Sequence, residues 1–184
     1  MDKKSLGKKK TLYIVGSAKG VKRFYIVNRI YELKAGKIIH TGNLINRIIK
    51  RLGFKEMDKI SIYDYYRYIE PVFVDTIITH LNYTDVILDT HYHYLLPGIS
   101  IKELLKFKEV VARAKLILVE ETKDNIIASN EGDWYEDIKN VEEDILLNKY
   151  YFESYANIFK KFCSCHSIEL NKDNIKEVNK IVGD

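Results

Sequence analysis

Lys22 and Arg23 close the stretch Gly16-Ser17-Ala18-Lys19-Gly20-Val21-Lys22-Arg23, which follows the apolar run Leu12–Val15. Glycines let a chain turn sharply. A turn that opens a helix leaves backbone N–H groups and a partial positive charge facing outward. That arrangement cradles phosphate, and a lysine at its end adds a point charge to the β- and γ-phosphates. Residues 16–22 are therefore expected to curl into an anion nest, with Lys22 on the donor phosphates. The pattern G-x-x-x-x-G-K-[ST] is met at Gly16 and Lys22. It is missed at Val21, where the second glycine belongs, and at Arg23, where a Mg²⁺-binding hydroxyl belongs. Arg23 either pairs with phosphate through its fork or marks the loss of metal-assisted transfer. The plainer alternative is that Gly16 only turns the chain and Lys22 is a solvated helix residue.

Further candidates follow other apolar runs. Asp89 comes after Val86-Ile87-Leu88, where a carboxylate either holds the water shell of Mg²⁺ or caps the next turn. His91 and His93 stand at i, i+2 without an evident third metal ligand, so His91 is read as a hydrogen-bond donor to phosphate or base. Tyr92 and Tyr94 are either core or stacking platforms. Thr41, Gly42 and Asn43 follow a short apolar pair, and Glu120 and Glu121 follow Leu116–Val119. Cys163 and Cys165 form C-x-C beside His166, in a strand-like stretch that points both thiols one way. One pair makes no disulfide framework and completes no zinc spacing, so the two are read as small residues in a late strand, in a reducing compartment, with a metal or redox role as the alternative. No cation lies between Lys123 and Lys139, and Arg113 is the last arginine. That acidic flap is suited to repelling a polyphosphate, and Lys149 is the nearest later cation on a helix that could face the site.

These groups need strands that end where they begin. Strands are expected at Thr11–Val15, Lys37–His40, Thr84–Thr90, Lys115–Glu120 and Phe162–Ile168. Helices are expected at Val21–Lys34, Gly42–Leu52, Ile60–Leu81 (split or kinked by Pro71), Lys102–Arg113, Val141–Phe159 and Ile175–Val182. His91–Gly98 reads as irregular and Thr122–Asp137 as a loop or flap. The alternation gives an α/β fold: three α/β/α layers around a five-stranded, mostly parallel sheet. Ligands bind at the carboxyl ends of such strands, where residues 16–23, 41–43, Asp89, His91, His93, Glu120 and Glu121 lie.

The 184 residues fit one domain, and 46% hydrophobic residues supply a core. A mean hydropathy of −0.24 and short apolar runs argue against a membrane span. Residues 1–10 hold five lysines and read as a solvated basic tail; the body beyond is near neutral, so the net charge of +4 is no argument for nucleic-acid binding. The short apolar run after the tail does not suit a secretory leader, and a cytoplasmic location is expected.

Three stretches resemble the nucleoside monophosphate kinases, most closely the archaeal-type adenylate kinases. Thr11–Arg23 looks like their first strand and phosphate loop. Thr41-Gly42-Asn43-Leu44-Ile45-Asn46-Arg47 is similar to T-G-D-x-L-R, with Arg47 displaced by one position. Leu88-Asp89-Thr90-His91 looks like V-D-T-H, and Leu96-Pro97-Gly98 resembles the G-L-P that follows it. Asn148-Lys149 resembles the family's N-R on the helix after the lid. The resemblance implies ATP with Mg²⁺ at the first loop, and a monophosphate (AMP favoured) near Thr41, Gly42, Arg47 and His91. It also implies a monophosphate-binding insertion at about 42–82 and a lid at about 122–138, within one domain over 11–184. Val21, Arg23, Asn43 and the arginine-free lid depart from the family.

Three functions follow as expectations. The first is phosphoryl transfer between ATP and a nucleoside monophosphate, with Lys22, Asp89 and Arg23 at the reacting phosphates and Arg47 or Arg51 on the acceptor. The second is an inactive binding or regulatory protein on the same fold. The third is an RNA- or ribosome-associated factor using the basic tail and the tyrosines.

Overall fold

The computed structural model describes residues 9–54, 60–92, 95–129, 138–170 and 175–183. Five strands, β1 (Leu12–Ser17), β2 (Lys37–His40), β3 (Val86–Thr90), β4 (Ala114–Glu120) and β5 (Ser164–Glu169), make one sheet in the order β2-β3-β1-β4-β5. Every pairing is parallel, and the register sets Val15 and His40 on either side of Asp89.

The inner strands are apolar on both faces because helices cover both. On one face Leu12, Ile14, Leu88, Leu116 and Leu118 pack against α2 (Thr41–Arg51), α4 (Glu70–Leu81) and α5 (Leu95–Leu104). On the other, Tyr13, Val15, Ile87, Ile117 and Val119 pack against α1 (Phe24–Lys34) and α9 (Ile175–Gly183). The long helix α8 (Ile138–Phe159) joins both layers: Val141 belongs to the second core, and Phe152, Tyr155 and Phe159 to the first.

The connection after β1 runs towards β2, and the connection after β3 runs the other way to β4. Neighbouring strands with opposed exits open a crevice at their carboxyl ends, and here that crevice lies between β1 and β3.

Several local expectations change. The 60–81 region is not broken at Pro71. A short α3 (Ile62–Asp64) widens into a π-helical turn at Tyr65–Ile69, where the Glu70 N–H reaches the Tyr65 carbonyl, and α4 then starts with Pro71 in its first turn. Proline fits there because a first-turn N–H has no intrahelical acceptor. The segment expected to be irregular becomes helical from Leu95, with Pro97 again in a first turn, and the expected Lys102–Arg113 helix divides into α5 and α6 (Lys108–Val111). The expected flap begins as α7 (Lys123–Ser129), because the Thr122 hydroxyl accepts from the Asn125 N–H and Ile126 is buried. The first helix starts at Phe24 rather than at Val21, and the last strand covers Ser164–Glu169. The tail's first eight residues, His93, Tyr94 and residues 130–137 of the flap lie outside the described residues.

Candidate functional site

The turn from Ala18 to Arg23 sits at the carboxyl end of the central strand. Gly20 takes a left-handed φ of 82°, which glycine adopts without strain. Val21 points into the core under α1 and is 7% exposed. An apolar anchor thus replaces the backbone freedom a glycine would bring to that position. Gly16 is not part of the turn. It is a β1 residue, and a Cβ there would overlap the ring of Tyr92.

The turn's amides are not an open nest. The Lys19 N–H donates to Asp144 Oδ2 at 2.5 Å, from the second turn of α8. The Lys22 backbone hydrogen-bonds the Glu121 carboxylate; burial pushes that carboxyl's pKa up, and the Lys22 backbone bond and charge oppose the shift. The Arg23 N–H donates to the Val21 carbonyl at 2.8 Å and that of Tyr25 to the Lys22 carbonyl at 3.2 Å. The space beside the turn, between Ala18, Val21, Glu121 and Asn148, is ≈ 10 Å³, scarcely room for one water. The turn does accept anions, but the anions it holds are the chain's own carboxylates.

Arg23 and Asp89 meet across the crevice. The Arg23 Nε donates to Asp89 Oδ1, and its Nη1 donates to Ser17 Oγ at 3.0 Å. The other Asp89 oxygen faces His40 Nδ1 at 2.6 Å. The Arg23 and Asp89 side chains are only 16% and 11% exposed, so this pair is screened far less than a surface one. A second tie crosses the same crevice: His91 Nδ1 donates to the Ser17 carbonyl at 2.8 Å. Burial first, and then the Arg23 charge, lower the His91 pKa to about 4; the Ser17 bond and the carboxylates of Asp144 and Asp89 pull the other way. The ring is neutral at pH 7.

Tyr92 is core. It is fully buried, its hydroxyl donates to the Ile14 and Ile117 carbonyls at 2.9 and 3.1 Å, and its ring meets Phe152 edge-on. Its N–H donates to the Asn148 side chain, which in turn donates to the Asp144 carbonyl. Asp144 and Asn148, one helical turn apart, therefore fasten α8 to the residues that follow β1 and β3. Lys149 turns instead to Glu120 on β4, at 3.4 Å.

Arg47, expected beside His91, lies elsewhere. With Lys37, His40, Lys50, Arg51 and His80 it lines a groove of ≈ 1340 Å³ between β2, α2 and α4. No carboxylate lines it among the described residues, so the groove is strongly basic. His40 belongs to both this groove and the Asp89 cluster. Gly42 opens onto free space in α2, while Thr41 is fully buried. Two buried side-chain oxygens lack a partner among the described residues: Thr41 Oγ1, just past β2, and Glu121 Oε2, just past β4.

Mg²⁺ does not fit the donors present. Both Asp89 oxygens and the Ser17 hydroxyl are engaged, and position 23 carries a guanidinium. No cluster of three or more metal-ligating carboxylate, imidazole or thiol groups occurs among the described residues. Cys163 and Cys165 stand 3.9 Å apart, packed against the core. Their shared hydrogen bond and burial push the Cys163 thiol up, so Cys165 ionises first.

Asp144 and His40 carry no sequence signal for these roles. Asp144 is one of several acidic residues in VEEDILLN, and only the long-range packing of α8 singles it out.

No family model matches the chain, and no curated protein matches it. Solved structures do. A sugar kinase from a Janibacter species aligns with a TM-score of 0.58 at 7% identity, covering 95% of each chain. A gluconokinase from Sinorhizobium meliloti gives 0.53 at 8%, covering 96% of this chain and 93% of its own. A shikimate kinase from Acinetobacter baumannii, bound to shikimate, gives 0.51 at 15%, covering 94% and 90%. The fold is that of the P-loop kinases. No helix among the described residues is long and apolar enough to cross a membrane.

Proposed function

We propose that this chain is a nucleotide-binding protein of the kinase fold, suited to recognition more than to rapid phosphoryl transfer. The observation that carries the reading is the Lys19 amide held by Asp144: the turn after β1 binds an anion at the place where this fold leaves room for a phosphate. Lys22 and Arg23 add positive charge to the same turn. A nucleotide phosphate takes the Lys19 amide by displacing Asp144 from it.

Calorimetric titration with ATP, ADP and AMP tests this. Binding of ATP that tightens in Asp144→Asn is the expected result. No binding by either protein leaves the architecture without the ligand.

The second reading is transfer from ATP to a small acceptor, with AMP favoured by the resemblance and gluconate or shikimate suggested by the structural neighbours. The basic groove of Arg47 and Arg51 favours it, because it offers cations to an anionic acceptor and shares His40 with the Asp89 cluster. A coupled assay for ADP with each acceptor decides. Turnover abolished by Lys22→Ala supports transfer; none above that variant removes it. RNA association through the basic tail is a separate expectation from sequence, tested by RNA retention after deletion of residues 1–10.

A further inference from the structure

We infer that the Arg23 guanidinium is a built-in cation standing in for the divalent metal, so that this chain takes polyphosphate without Mg²⁺. The inference rests on the reading of the 18–23 turn as a phosphate site.

The argument starts from what a metal does at such a place. It is anchored by a hydroxyl and a carboxylate, and it presents positive charge to the phosphate oxygens. Here one hydroxyl, Ser17 Oγ, and one carboxylate, Asp89, anchor Arg23. The anchoring atoms come from two adjacent strands, and the cation lies across the crevice between them. A guanidinium has five N–H donors in a plane and keeps its proton at any working pH. Asp89 and Ser17 use two of them, and the remaining donors form a fork of the kind that matches phosphate oxygens.

Competition makes the case sharper. For Mg²⁺ to reach Asp89 it would have to expel Arg23 from Oδ1 and His40 from Oδ2. It would then sit beside the displaced guanidinium, like charge against like. An octahedral ion that gives up its water reluctantly gains little from a carboxylate already paired on both oxygens.

The test uses the full chain and calorimetric titration with ATP and with inorganic phosphate, each with EDTA and with excess Mg²⁺. Affinities that agree within about threefold in the two buffers are expected. Arg23→Ser supplies the missing hydroxyl and frees Asp89. It is expected to lose at least about tenfold in EDTA and to become Mg²⁺-responsive. Arg23→Lys keeps the charge without the fork and should fall between the two while remaining metal-independent. Should Arg23→Ser fail to fold, Asp89→Asn serves: it loosens Arg23 and should tighten metal-free binding. Wild-type binding at least tenfold tighter with Mg²⁺ overturns the inference and leaves the phosphate site standing. No binding in either buffer, by wild type or by Asp144→Asn, overturns the site itself and the inference with it.

Discussion

Arg23, at the mouth of α1, and Asp89, at the end of β3, form an ion pair across the crevice between the two central strands, with Ser17 completing the contact at 3.0 Å. One interaction thus ties the ends of the two strands together and holds the guanidinium between them.

Removing one partner of that pair strands the other. Arg23→Ala leaves Asp89 with His40 alone in a poorly solvated place and should cost about 2 kcal/mol, below the range for fully buried pairs because some water reaches it. Asp89→Asn keeps an acceptor for Arg23 and should cost less. Urea midpoints of the two variants at pH 7 check the order, and an equal or reversed order contradicts it.

Asp144 competes with any incoming anion for the Lys19 amide. Asp144→Asn removes the charge and keeps most of the packing, so affinity for ATP should rise about tenfold, the scale of one charge-assisted hydrogen bond. Unchanged affinity would show that the carboxylate does not guard the turn.

His91 gives a pH signature. Its pKa is about 4 in the folded chain against 6.5 unfolded, so as pH falls below 6.5 the unfolded chain takes up the proton first. Stability from the neutral ring is therefore complete above pH 6.5, declines between 6.5 and 4, and is gone below 4. At about 1.4 kcal/mol per pH unit of displacement the whole loss approaches roughly 3 kcal/mol. Arg23, Asp89 and Asp144 are the charges that act on the ring. His91→Gln should flatten this portion of the stability–pH curve relative to wild type. Parallel curves for the two proteins would refute the assignment.

Gly16 holds a place no larger residue can take. A methyl group there meets the buried Tyr92 ring, which two hydroxyl hydrogen bonds and the packing of α8 keep in position. Gly16→Ala should lower stability by about 2–3 kcal/mol, the usual scale of overpacking. Adding Tyr92→Leu should cost much less on the alanine background than on wild type, because there it also relieves the clash. Thermal midpoints of the four proteins read this coupling, and strict additivity argues against the clash.

The architecture was legible in the sequence because it rests on local signals. Runs such as Leu116–Val119 can be buried on both faces only in an inner parallel strand, and Leu44, Ile45, Ile48 and Ile49 read as one side of a helix. The helical start of the flap was less legible because its one buried apolar anchor, Ile126, sits among polar neighbours. The π-helical turn at Tyr65–Ile69 has no periodic signature that separates it from an ordinary helix. At the site, the meeting of Arg23 with Asp89 follows from the topology that pairs β1 with β3. The use of Asp144 does not, since 125 residues separate it from the amide it caps. Arg47 is a related case: sequence puts it after β2, and only the turn of α2 decides that it faces the outer groove.

A helix that begins against one face of the sheet and ends against the other works as a strap drawn over the strand tips. Whatever parts Asp144 from Lys19 loosens that strap near its start, and the change is felt at Val141 on one side and at Phe152 and Tyr155 on the other. Filling the crevice would therefore be reported far from it, as a change in how quickly amides on both flanks of the sheet exchange with solvent.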